Sequence, residues 1–318
     1  MMFSESEQEF LQKIKPGLTK FLSPNEKIAV KLHMGEKGNK TYPDPDFVKK
    51  IVDILKENNC IPFLFDSPVM YPGARDSSEK YFKIAAENGF SHDKIGCPVI
   101  ISNDFEHVKT SHLNAGVCKP LIEADSILVL SHVKGHMCSG IGGAIKNIGM
   151  GAVSKKTKAD IHNLANPMVT ADCTFCQSCV KACPVNAITA EAGKIRVHYD
   201  GCWGCGQCVN ICPSHALKPK VASFDTLIAE GAFAVLSKVK KCYFINVLTK
   251  ISRLCDCQLN NGPIVLSDIG YLASDDIIEI EEKSIDLINK KAGKNLFLEI
   301  HKKDPYVHVK EMERLILA

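Results

Sequence analysis

The chain has 318 residues, 45% hydrophobic and 24% charged, with a formal net charge of +3 spread along its length. That composition excludes disorder and fibrous repeats, and without a block of like charges no nucleic-acid partner is expected. The acidic start, Met1-Met2-Phe3-Ser4-Glu5-Ser6-Glu7, lacks the regions of a signal peptide, and no apolar run approaches about 18 residues, so a cytoplasmic address and no membrane partner are expected.

Ser4 with Glu7 predicts a capping box that opens a short helix ending before Pro16. Ile28 to Leu32 predicts a strand, followed by a loop from His33 to Gly38. Asp44 as N-cap and Pro45 in the first turn start a helix whose apolar face is Phe47, Val48, Ile51 and Leu55. A strand from Ile61 to Phe65 ends at Asp66; a helix near Ser78 to Asn88 and strands at 99–101 and 126–130 follow.

The next stretch runs from Ser131 to Gly151 and holds His132, Lys134, His136, Cys138, Lys146 and Asn147 among many glycines. Such glycine density lets backbone approach a ligand, while lysines suit a phosphate or carboxylate and a histidine passes protons or takes a metal near neutral pH. His132, Lys134, His136, Lys146 and Asn147 are therefore the candidate catalytic residues, with Cys255 and Asp256 as residues that would face them. Histidines bonded to loop carbonyls and solvated lysines are the competing reading. The glycines fit neither a dinucleotide fingerprint nor a P-loop, leaving NAD and ATP unsupported.

Two cysteine runs come next. Cys173, Cys176, Cys179 and Cys183-Pro184 have the spacing of bacterial ferredoxins, and Cys202, Cys205, Cys208 and Cys212-Pro213 repeat it at one offset of 29 residues. Three closely spaced thiolates wrap three corners of a cubane, and in two-cluster ferredoxins the fourth comes from the other half. The predicted cofactors are two [4Fe–4S] clusters, one on Cys173, Cys176, Cys179 and Cys212, the other on Cys202, Cys205, Cys208 and Cys183. Paired zinc sites, the alternative, usually show two Cys pairs rather than a triplet plus Cys-Pro. Between residues 171 and 217 the charges balance, which favours an electron port inside a larger protein over a free carrier.

Beyond the runs, a helix is expected from about Phe224 to Lys238, strands at 243–247 and 264–266, and a helix near Asp276 to Lys290. Cys255 and Cys257 suit metal binding or thiol chemistry, whereas Cys60, Cys97, Cys118, Cys138 and Cys242 lack paired spacing and are expected to pack as small apolar residues. Apolar strands alternating with helices predict an α/β fold with a mainly parallel sheet covered on both faces. Residues 1–170 and 218–318 would form its two parts, interrupted by a two-[4Fe–4S] ferredoxin-like module at 171–217.

The Ser131 to Gly151 stretch, Lys158 with His162, the two Cys runs, Cys255-Asp256-Cys257 and the segment from Asp268 to Asp275 together resemble the iron–sulfur protein family with domain of unknown function 362. The likeness covers almost the whole chain and implies an α/β domain with a two-cluster insert, without an established substrate. One departure is that Asp275-Asp276-Ile277 follows Ser274 where the family commonly has an Asp-Pro pair. The leading expectation is a redox protein, an oxidoreductase or reductive activator. It would pass low-potential electrons through the clusters to a small anionic substrate or partner cofactor, with a protein as electron donor or acceptor. A non-catalytic electron carrier or docking subunit is the alternative; a third reading makes the clusters structural and a His-bound metal the hydrolase or isomerase centre.

Overall fold

The computed structural model describes residues 1–318. Seven strands form its central sheet: β1 (Met2–Ser4), β2 (Lys27–Lys31), β3 (Ile61–Asp66), β4 (Val99–Ile101), β5 (Ser126–His132), β6 (Cys242–Leu248) and β7 (Gly270–Ser274), in the spatial order β1-β7-β6-β5-β2-β3-β4. Strands β2 to β6 are mutually parallel, while β7 lies antiparallel on β6 and β1 antiparallel on β7. The sheet is thus mostly parallel but mixed. Every residue of β5 is buried, and its side chains alternate between two cores: Ile127 and Val129 enter one, Leu128 and Leu130 the other. That is why its sequence reads as an unbroken apolar run.

Several expected elements change in detail. Helix α1 (Glu7–Phe21) is capped by Ser6, which accepts from Glu9 N, whereas Ser4 belongs to β1 and donates to the Glu9 carboxylate. The helix runs through Pro16 because Phe10, Ile14 and Leu18 bury one continuous face across it, outweighing the lost backbone bond. Helix α2 (Pro45–Glu57) starts at Asp44 as expected, and Asp276 caps the helix Ile277–Ala292. Ile264–Leu266 stays outside the sheet and pairs instead with Ile251–Ser252, while β7 takes the place beside β6.

Strand β5 lies before the cysteine-rich segment and β6 after it, yet they pair directly, with Leu130 opposite Ile245 and Ser131 opposite Asn246. The segment leaves and returns through a small antiparallel neck, Pro167–Val169 against Leu217–Pro219. Inside it, Ser178–Ala182 and Gln207–Asn210 form short helices, and Ile188–Glu191 pairs with Lys194–Val197. The sequence duplication persists in the backbone: Phe175, Gln177 and Asn186 are left-handed, and so are Gly204, Gly206 and His215 at the same offset. Such positions turn the chain sharply around each Cys run at a steric cost for non-glycine residues.

Candidate functional site

The carboxyl ends of β2, β3 and β5 bring charged side chains to one place. Lys31, which follows the apolar Ile28, Ala29 and Val30 at the end of its strand, is fully buried, with Nζ 3.0 Å from Asp66 Oδ1 and donating to Asn147 Oδ1 at 2.7 Å. Asn147 in turn donates to the Leu130 carbonyl and to Ser131 Oγ, both at 3.0 Å, so it ties β2 to β5. The Tyr81 hydroxyl donates to Asp66. Burial works against the Asp66 carboxylate, but Lys31, His33 and Lys158 outweigh it and hold its pKa below the usual range. Burial lowers the Lys31 ammonium, with Asp66 pulling back. Helix α3 (Ala144–Gly151) ends against this pair, and any side chain at Gly151 would collide with Lys31.

Beside it, Asp256 accepts from three directions. His132 Nδ1 lies 2.8 Å and Lys134 Nζ 3.0 Å from Oδ2, and Thr41 Oγ1 donates to Oδ1 at 2.7 Å. His132 Nε2 faces the Thr249 carbonyl at 2.8 Å. Burial opposes the Asp256 charge, yet His132 and Lys134 keep its pKa well below the carboxylate range. This network fixes the loop that carries Cys255 and Cys257, whose sulfurs are 2.8 Å apart. Lys146 Nζ donates to Cys257 Sγ at 3.5 Å. The Cys255 thiol above all, then Lys146 and His33, holds Cys257 well below an ordinary thiol despite its burial, while Cys255 is pushed up. Burial disfavours the Lys146 charge, but Cys257, Cys255 and Asp256 raise its pKa above the usual lysine value.

A cavity of about 620 Å³ separates this wall from the cysteine-rich segment. His33, Arg75, His136, Lys146, Lys158 and Cys257 line it on the sheet side; Tyr199, Cys202 and Trp203 line it on the other. Arg75 is buried, donating to Glu36 at 2.9 Å, to the Tyr71 hydroxyl at 3.0 Å and to His33 Nε2 at 2.9 Å. Lys158 donates to Ser67 Oγ at 2.8 Å and to the Ser67 and Pro68 carbonyls, and burial lowers its pKa to about 8. Burial, then Lys146, pushes His136 well below the usual imidazole value, leaving it neutral at pH 7. The far wall is clasped to helix α4 (Lys155–Leu164): His162 Nδ1 lies 2.9 Å from the Trp203 carbonyl, and left-handed Gly204 packs against the His162 carbonyl where a Cβ would clash.

The five candidate catalytic residues therefore converge, but not in one layer. His136 and Lys146 line the large cavity; His132, Lys134 and Asn147 lie behind it in a small polar cleft shared with Lys31, Asp66 and Asp256. His132 ends β5, and His136 sits in a short strand, Lys134–His136, paired with Gly140–Gly142, so the two histidines share no helical face. Cys60, Cys97, Cys118 and Cys138 are buried as expected; Cys242 is half-buried, and Cys138 also borders the cavity.

In the cysteine-rich segment, Cys173, Cys176, Cys179 and Cys212 line one small cavity with Ile195 and Leu217. Cys183 lies within electrostatic reach of Cys202, Cys205 and Cys208. Nowhere do three His, Cys, Asp or Glu side chains close on a single ion. Cys205 joins the large core of the body, whereas Cys176 is exposed, so the two thiol sets differ in depth.

Residues 28–286 match the family model described as Domain of unknown function (DUF362). The chain belongs to this family. The DUF362 match takes in the sheet from β2 to β7, the cysteine-rich segment and the strand-end residues above. No curated protein matches the chain. Among solved structures it is similar to a protein from Thermotoga maritima, at 12% identity and TM-score 0.43, over 86% of this chain and 56% of that one. It is also similar to the lactate racemase apoprotein from Thermoanaerobacterium thermosaccharolyticum, at 13% identity and TM-score 0.42, over 78% and 50%. The DUF362 chain thus spans about half the length of each. No helix is long and apolar enough to cross a membrane.

Proposed function

We propose that this DUF362 protein is an iron–sulfur redox protein in which residues 171–217 are a two-cluster ferredoxin-like module set into an α/β domain of residues 1–170 and 218–318. When bound, two [4Fe–4S] clusters supply one low-potential electron each. Cys173, Cys176, Cys179 and Cys212 would hold the outer one, and Cys202, Cys205, Cys208 and Cys183 the inner one. The four-thiol cavity containing Cys212 supports this crossed assignment, and the matching left-handed turns around both runs support a duplicated ligand loop. The observation that carries the reading is the shared cavity: Cys202 and its neighbour Trp203 form one wall, and Lys146, Cys257 and Arg75 the opposite one.

That cavity suits a small anionic substrate or the acidic edge of a partner cofactor. Arg75 and Lys146 bring positive charge to the wall of the cavity, Lys158 offers an amine that gains or loses a proton near pH 8, and neutral His136 accepts one. His132, Lys134 and Asn147 hold the wall in place through Asp256, Lys31 and the β5 backbone. The test is His136→Ala and Lys146→Ala in protein whose iron content equals that of the parent, measuring anion binding and electron transfer out of reduced clusters. Loss of either by roughly tenfold or more is expected; unchanged binding and transfer in both variants would reduce the segment to scaffold. Cys183→Ala should alter the spectrum of the inner cluster while sparing the outer one.

A further inference from the structure

We infer that Cys255 and Cys257 are a redox-active thiol pair, Cys257 being the nucleophile and Cys255 the resolving thiol, which exchanges electrons with a small anionic disulfide in the cavity. Their sulfurs lie 2.8 Å apart on a loop whose middle residue, Asp256, is locked by His132, Lys134 and Thr41. The backbone held by these contacts leaves the two side chains facing each other and the 620 Å³ cavity, rather than merely filling core as Cys60, Cys97 and Cys118 do. Lys146, 3.5 Å from Cys257, supplies the positive charge that a reactive thiolate needs. Cys257 is the more accessible of the two, as the residue that first meets the substrate must be, and Cys255 is buried behind it.

The exchange balances in two halves. In the first, Cys257 thiolate attacks one sulfur of the substrate disulfide; the S–S bond breaks, one thiolate leaves and takes up a proton, and a mixed disulfide remains on Cys257. Cys255 then loses its proton and attacks Cys257 Sγ, releasing the second thiol and leaving a Cys255–Cys257 disulfide. In the second half, that disulfide takes up two electrons and one proton: its S–S bond breaks, Cys257 leaves as the thiolate beside Lys146, and Cys255 is protonated. This half rests on the proposed function, in which the two clusters held by the thiol sets would together supply the two electrons that one disulfide consumes. Cys202 lines the same cavity as the pair.

The experiment uses the full chain, purified anaerobically with its iron measured, and oxidised glutathione as the probe. Peptide mapping should find a Cys255–Cys257 linkage at unchanged iron content. In Cys255→Ser the reaction should stop at a glutathione adduct on Cys257, whereas Cys257→Ser should cut adduct formation by roughly tenfold or more. Dithionite should restore the dithiol roughly tenfold faster in the parent than in Cys202→Ser, which lacks an inner-cluster ligand. Lys146→Met, which keeps all cysteines, should slow alkylation of Cys257 at pH 6 by roughly tenfold. Full iron with no linkage, or a linkage reduced equally fast in Cys202→Ser, overturns the inference and leaves the redox reading standing. A linkage formed by a chain that never takes up iron overturns the electron route together with the proposed function.

Discussion

The sheet is flanked by two clusters of 43 and 27 buried residues, one on each face, the larger taking in Cys205, whereas the cluster that lies wholly within the cysteine-rich segment has only 7, three of them cysteines. Burial on that scale lets the body offset chain entropy and enclose paired charges such as Lys31 with Asp66. The segment lacks that resource, and small units of this kind need cross-links or metal. It is fastened to the body at its neck, through the Trp203 carbonyl, and by Gln207, which donates to the His301 carbonyl at 2.8 Å. The contrast separates two sources of order: apolar burial in the body, and in the segment whatever its thiols hold.

Chelating the iron of the proposed clusters is expected to have the largest effect, raising amide exchange in residues 171–217 by roughly a hundredfold or more while β5 and β6 stay protected. Exchange read by mass spectrometry checks this, and equal loss in both regions would erase the contrast. Next, Asp66→Ala strands the buried Lys31 ammonium and should destabilise the body by about 3–5 kcal/mol in urea unfolding. Removing Lys15, whose partner Glu57 is as exposed as itself, should change stability by less than about 1 kcal/mol.

A pH series sharpens the body's side of the comparison. Lys158 has its pKa lowered from 10.5 to about 8 by burial, so between those values the unfolded chain binds more protons than the folded one. Stability should therefore rise with pH across that window, by up to about 1.4 kcal/mol per pH unit, and Lys158→Met should remove that contribution. The difference between the two urea-unfolding series reads it out. A modest effect is expected for Asp276→Ala, which takes away the side chain accepting from Ile278 N and Glu279 N and should cost about 1 kcal/mol, with both thiol sets and the cavity unchanged.

What could be read from the sequence follows the same division. Helix α2 was legible because Asp44, Pro45 and the apolar face are local signals, and β5 because an unbroken apolar run needs cover on both sides. Pro16 misled because its penalty is local while the face of α1 is paired with a distant core. β7 escaped because its place beside β6 is set by long-range pairing, and Ile264–Leu266, which is the more apolar segment, lacks that partner. In the site, His136, Lys146 and Cys257 stood out by residue type. Lys31, His33, Asp66 and Arg75 were missed, although a lysine in a buried strand and an aspartate at a strand's carboxyl end are the sequence marks of such a site. Arg75 carried no such mark, since only folding brings it to His33 and Glu36.

Iron and acid-labile sulfide per chain, measured after anaerobic reconstitution, decide whether the segment is organised by clusters. About eight of each are expected, as two cubanes require. Four or fewer irons, with zinc making up the balance, would contradict the two-cluster assignment and with it the electron path to the strand-end cavity.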